Sequence, residues 1–248
     1  MASGASSSPS TWVEHNLHVD TAEGQRRSIP LVSRTVAAFY AEYRAVLRAL
    51  ALDLHFWTTP VEIPDPIPFE EDYSHGTYDP AAVRTFFEVL ARADLALKEF
   101  QGRFTGKQSP VHFFWGSFDL AAARYSGRRA PERPGADTIT KEGYSHEELA
   151  FGFWPGAAGI LDATFYAYAA PEPPGFKGAT VRPPAARYHP PLGEFVLPYE
   201  ELRHESDPHR ALLEFFQSAY DAGAALGRWD RASLDRPMPA ESGRQPGA

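Results

Sequence analysis

Phe151 to Ala170 reads FGFWPGAAGILDATFYAYAA, twenty residues with a single charge at Asp162. That apolar length invites a membrane-spanning helix. Gly152, Pro155, Gly156 and Gly159 argue against it, because they would break such a helix in mid-membrane. The aromatics fall instead into two clusters, Phe151–Trp154 and Phe165–Tyr168, around the turn signal Pro155-Gly156. Two paired strands produce that pattern. The expected fold is therefore built on an antiparallel, aromatic-rich sheet.

Working outward, Glu147–Trp154, Phe165–Ala169 and Glu194–Leu197 read as strands. Val111–Phe118 carries aromatics at alternate and adjacent positions alike and predicts a central strand. Arg-, Pro- and Gly-rich Tyr125–Asp137 predicts a loop. Leu17 with Val19, and Arg26–Leu31, predict a strand pair around the turn Thr21–Gln25, and Leu52–Trp57 predicts a further strand. Three segments carry apolar residues at helical spacing: 34–51 after an N-cap at Ser33, 80–104 after Asp79-Pro80, and 208–227 after Asp207-Pro208. The fold class is α+β: one domain over 12–235, a largely antiparallel sheet flanked by three long helices. Ser-rich 1–11 and polar 236–248 are expected to be disordered tails. Arg27–Leu31 and Phe195–Tyr199 each precede a helix bearing Phe and Tyr, and His55-Phe-Trp57 echoes His112-Phe-Phe-Trp115. Two pseudo-symmetric halves would give this echo, and so would chance in an aromatic-rich chain.

Composition narrows the chemistry. There is no cysteine among 248 residues, which excludes disulfides, thiolate nucleophiles, Cys-ligated zinc and iron–sulfur clusters. A net charge of -8 lacks the basic footprint of a nucleic-acid binder. Residues 1–10 carry neither Lys nor Arg and no apolar core, so no secretory signal is read there, and a cytoplasmic setting without membrane partners is expected. Proline makes up 23 residues, gathered at 60–68 and at 171–191, where seven stand in 21 positions. Both stretches predict extended connections.

Familiar motifs fail on spacing. Gly102 to Gln108 resembles a phosphate loop but is one residue short and ends in Gln. His204 and His209 stand five apart, where a zinc-binding helical pair needs four.

Four places concentrate polar groups. His112 and Asp119 lie at the two ends of the Val111–Phe118 run, with Trp115 between them. In an unbroken strand they face opposite sides, and a bulge at Gly116 would bring them together. Tyr144-Ser-His146-Glu147-Glu148 enters the strand that ends at Trp154, and His beside a carboxylate suits general acid–base work or a partial metal site, or an exposed helix or strand start. Asp72-Tyr-Ser-His75 offers a third imidazole. His75, His112 and His146, or two of them with Asp119 or Glu147, would suit zinc or iron. Arg124, Arg128, Arg129 and Arg133 form the basic cluster, fit for an anion or for a solvated loop.

Pro60 to Phe69, Lys107 to Asp119, Ser126 to Pro131, Tyr144-Ser-His146 with Gly152–Gly156, and Tyr166 to Phe176 together resemble bacterial proteins grouped as domain of unknown function 5996. The resemblance spans about Arg26 to Leu234 and implies a cytosolic bacterial protein, with no activity attached. It also implies a Trp-rich, strand-rich stretch ahead of Arg26, where Met1–Thr11 is Ser-rich. A shortened first sheet is expected from that departure.

The functional expectation is a small-molecule pocket. His112, Asp119, His146 and Glu147 would do its chemistry, and His75, Trp115, Arg124, Tyr144, Trp154 and Glu172 would bind the ligand. The alternative is a non-catalytic module whose exposed aromatics and proline segments form a homodimer or partner surface.

Overall fold

In the computed structural model, residues 10–236 are described, apart from 62, 64, 158 and 159. But for Ser10, Thr11 and Arg236, the two expected tails lie outside the described residues. The chain divides into two compact units at Leu90/Ala91.

The first unit begins with α1 (Ser10–Glu14), followed by the antiparallel pair β1 (Asn16–Asp20) and β2 (Arg26–Pro30), with Leu17 opposite Ile29. Helix α2 (Val36–Ala49) follows. Its N-cap is Thr35, whose hydroxyl accepts the Ala38 N–H at 3.1 Å, rather than Ser33, which is bonded to the Tyr78 backbone. Val19, Leu47 and Leu50 form a small core. Leu52–Trp57 is not a strand: Leu52 and Leu54 pack on that core instead of entering a sheet. Helix α3 (Pro80–Gln101) starts where Asp79 accepts the Ala81 N–H at 2.9 Å, and carries the chain into the second unit.

The second unit holds β3 (His112–Phe114), β4 (Asp119–Arg129), α4 (Thr138–Gly143), β5 (His146–Trp154), β6 (Thr164–Ala170), β7 (Arg187–His189), β8 (Glu194–Pro198), α5 (Tyr199–Leu202), α6 (Pro208–Leu226) and α7 (Arg231–Leu234). The strands form one antiparallel sheet in the order β3-β4-β5-β6-β8-β7. The Phe151–Ala170 segment is thus its central hairpin. No helix among the described residues is long and apolar enough to cross a membrane.

Three further expectations are corrected. The run 111–118 is not a central strand but a three-residue edge strand and a turn, with Phe118 at a positive φ of 60°. Its aromatics supply β-propensity, yet Trp115 and Phe118 are exposed at the hairpin tip. The expected loop from Tyr125 is strand as far as Arg129. The proline-rich connection contains β7, placed at the sheet edge, where flanking prolines leave no ladder bond unmade.

One face of this sheet is packed. Leu120 and Ala122 of β4, Leu149, Phe151 and Phe153 of β5, Phe165 and Ala167 of β6, and Leu197 of β8 share it by register. Phe100 of α3 meets Phe151 edge-on at 4.8 Å, and Phe216 of α6 lies 5.8 Å from Phe151 and 6.2 Å from Phe165. Gly223 lets α6 come down on the sheet, since a Cβ there would strike the Leu149 side chain.

Candidate functional site

The pleat assigns the alternate residues to the other face. There β4 presents Asp119, Ala121, Ala123 and Tyr125, β5 presents Glu148, Ala150 and Gly152, and β6 presents Tyr166 and Tyr168. Val196 and Glu194 of β8 continue the same face. Alanine and glycine leave the middle of it low. A cavity of about 610 Å³ lies over this floor, walled by His112, Phe113 and Phe114 of β3 and by Ile139, Thr140, Gly143 and Tyr144 at α4.

A turn, not a bulge, joins His112 to Asp119. The chain reverses over 115–118, so that Phe114 pairs with Asp119 and His112 with Ala121. Residues opposite one another in an antiparallel pair share a face. His112 therefore stands on the same face as Asp119, and both line the cavity.

Asp119 is buried and accepts hydrogen bonds from the Ser117 and Tyr166 hydroxyls. Burial, and then the negative charge of Asp119, hold the Tyr166 phenol far above its ordinary range, so it acts as a neutral donor. Gly152 makes this contact possible: a Cβ there would run into the Tyr166 hydroxyl and the Leu120 carbonyl. The Tyr168 hydroxyl lies 3.3 Å from that of Tyr144, and burial likewise raises its pKa.

Two further carboxyls are set apart by their surroundings. Burial pushes Glu148 up to about 7, against the opposing pull of Arg133. Burial, aided by the charge of Asp119, pushes Glu194 to about 7. His189 of β7 is directly opposite Glu194, and its Nδ1 is buried with no hydrogen-bond partner among the described residues. A carboxyl that titrates near neutrality can both give and take a proton.

The remaining residues singled out from the sequence are placed as follows. Tyr144 is at the wall of the cavity. His146 opens β5 with its Nδ1 3.1 Å from the Ser145 hydroxyl, and Trp154 closes that strand opposite Thr164. Glu147 is engaged by Arg128 at 2.6 Å and by the Ser126 hydroxyl at 2.9 Å. Trp115 is exposed at the hairpin tip, its ring 5.3 Å from that of Phe113. Glu172 accepts the Tyr188 hydroxyl. His75, in the first unit, pairs with Asp72 at 2.9 Å. Arg124 lies on the packed face, its guanidinium 3.4 Å from the Phe100 ring centroid and 4.5 Å from that of Tyr220. It donates to the Phe100 carbonyl, and burial lowers its pKa to about 9. Among the described residues no three His, Asp or Glu side chains gather closely enough to hold a metal ion.

Sequence reading passed over Glu148 in favour of its neighbour Glu147, and missed Glu194, His189, Tyr166 and Tyr168. A signal existed for Glu148: if Leu149, Phe151 and Phe153 face the core, the pleat sends Glu148 with Ala150 and Gly152 to the opposite side. No comparable signal marked Glu194 or His189, whose pairing depends on β7 lying beside β8.

Fold and site define an α+β protein with an open, acid- and phenol-lined sheet face. The chain belongs to the family of unknown function DUF5996, which it matches over residues 10–236. No curated protein and no solved structure matches it.

Proposed function

We propose that the open face of the six-stranded sheet binds a small molecule and acts on it by proton transfer. The observation that carries this reading is the convergence in one cavity of His112, the Asp119–Tyr166 pair and Glu148, whose carboxyl titrates near 7. Titratable groups displaced toward neutrality inside a concave site are the usual mark of acid–base chemistry. His112 and Glu148 exchange protons with the ligand. Tyr166, kept protonated and with its one O–H given to Asp119, accepts a hydrogen bond from a ligand hydroxyl or N–H. The test is a thermal-shift screen of metabolites on the wild type, His112→Ala and Glu148→Gln, with metal analysis of the purified protein. Compounds that stabilise the wild type should fail to shift either variant. A screen in which nothing binds, or in which both variants respond as the wild type does, ends this reading.

The interaction-module reading has one observation in its favour. Phe114, Trp115 and Phe118 are 49%, 75% and 45% exposed, close together at the tip of the β3–β4 hairpin. Light scattering would support it if the chain were dimeric and Trp115→Ala were monomeric.

A further inference from the structure

We propose that the ligand of this face carries an anionic group, a carboxylate or phosphate, held by Arg129, Arg133 and Lys141 in a second cavity that shares Tyr144 with the first. The inference rests on the cavity reading above and names the substrate class. This second cavity, of about 660 Å³, is lined by the 129–134 loop together with Lys141, Tyr144 and Ser145. Tyr144 is the common wall. Its ring supports the Arg133 guanidinium, 4.0 Å from the centroid, while its hydroxyl reaches Tyr168 in the acid- and phenol-lined cavity.

Many cations elsewhere in the molecule are ion-paired, although Arg27, Arg84, Arg92 and Lys177 among others have no carboxylate partner among the described residues. Arg26, Arg34, Arg103, Arg187, Arg203 and Arg210 each have a carboxylate partner. In the basic cluster itself, Arg124 is enclosed by rings, and Arg128 is bound to Glu147 and to the Gly227 carbonyl. Arg129, Arg133 and Lys141 also have no ion-pair partner among the described residues, and what sets them apart is that all three line one cavity in a chain of net charge -8. One carboxylate, Glu132, lines the same cavity, so the cations keep the majority.

Stacking on Tyr144 orients Arg133 without using its N–H donors, and those donors fit a carboxylate or a phosphate in a forked geometry. A charge-assisted contact at the mouth would place the rest of the ligand toward Glu148 and Tyr168.

The experiment is calorimetric titration with inorganic phosphate and, separately, glutarate, at constant ionic strength against chloride. Saturable binding of either probe is expected. Arg133→Gln and Lys141→Gln should each weaken it at least about tenfold, the loss of one charge-assisted contact. His112→Ala should leave it intact, and circular dichroism would check that every variant is folded. Preference for phosphate or glutarate identifies the group. Any compound from the thermal-shift screen should be anionic and should lose its effect in Arg133→Gln. The inference is overturned if neither probe binds beyond chloride, or if Arg133→Gln with Lys141→Gln binds as the wild type does. Screen compounds that need His112 but ignore Arg133 would also overturn it, and would leave the acid–base function standing.

Discussion

The two faces of the six-stranded sheet are written in the same strands, one residue apart. On the packed face, Leu149, Phe151 and Phe153 meet the rings of Phe100 and Phe216. On the open face, Glu148, Ala150 and Gly152 give a low floor edged with acid. Each face also buries charge, and the two treat it differently. The packed face encloses the cation of Arg124 in aromatic rings and gives it the Phe100 carbonyl, so the charge is compensated by fixed structure. The open face gives Glu148 and Glu194 no ion-pair partner among the described residues, and although Arg133 pulls the other way on Glu148, their compensation is a proton held up to about pH 7. Fixed compensation stabilises a fold, whereas compensation by an exchangeable proton leaves a group ready for chemistry.

The largest expected difference between the faces is in packing. Phe216→Ala on the packed face should cost about 3–5 kcal/mol, read as a lower urea midpoint. A cost under about 1 kcal/mol would mean that the aromatic layer does not hold the sheet to α6.

Next in size is a pH effect of opposite sign. The folded values of Glu148 and Glu194 lie above the ordinary 4.5. Between that value and about 7 the folded chain therefore keeps protons that the unfolded chain has released. Stability should fall as pH rises through this window and stay reduced above it, by up to roughly 3 kcal/mol per carboxyl. Glu148→Gln should raise the melting temperature at pH 8, by about 1–3 kcal/mol of stability, and change it little at pH 4.5. An unchanged pH profile in that variant would place the titration elsewhere.

Tyr166→Phe tests the Asp119 contact. Removing the hydroxyl leaves a buried carboxylate short of a donor and should cost about 1–2 kcal/mol in thermal or urea unfolding. Smallest is Trp115→Ala at the hairpin tip. An exposed ring should change stability by no more than about 0.5 kcal/mol in the same assay.

How much of this was legible varied with the residue. The central hairpin was, because Pro155-Gly156 and the aromatic clusters around it are local signals. So were α3 and α6, with Asp-Pro at each start and Phe and Leu at helical spacing. His112 and Asp119 were legible as a candidate pair, but not the turn at 115–118 that puts them on one face. Propensity read those aromatics as strand, whereas the chain reverses there. Arg124 could not be told from Arg133 by type, and the pleat sends the first under α6 while the loop leaves the second over Tyr144. The choice of Glu147 over Glu148 shows how a shift of one residue exchanges the faces.

The sequence by itself determined the α+β class, the antiparallel core of the sheet, the three long helices and the absence of thiol chemistry. Each of these depends on residues near one another in the chain, or on composition. Tertiary structure alone decided which carboxyls are desolvated, that β7 sets His189 against Glu194, and that Tyr144 is common to an acidic and a basic cavity. Those outcomes follow from strand register and burial, which bring together groups far apart in sequence and so leave no local trace.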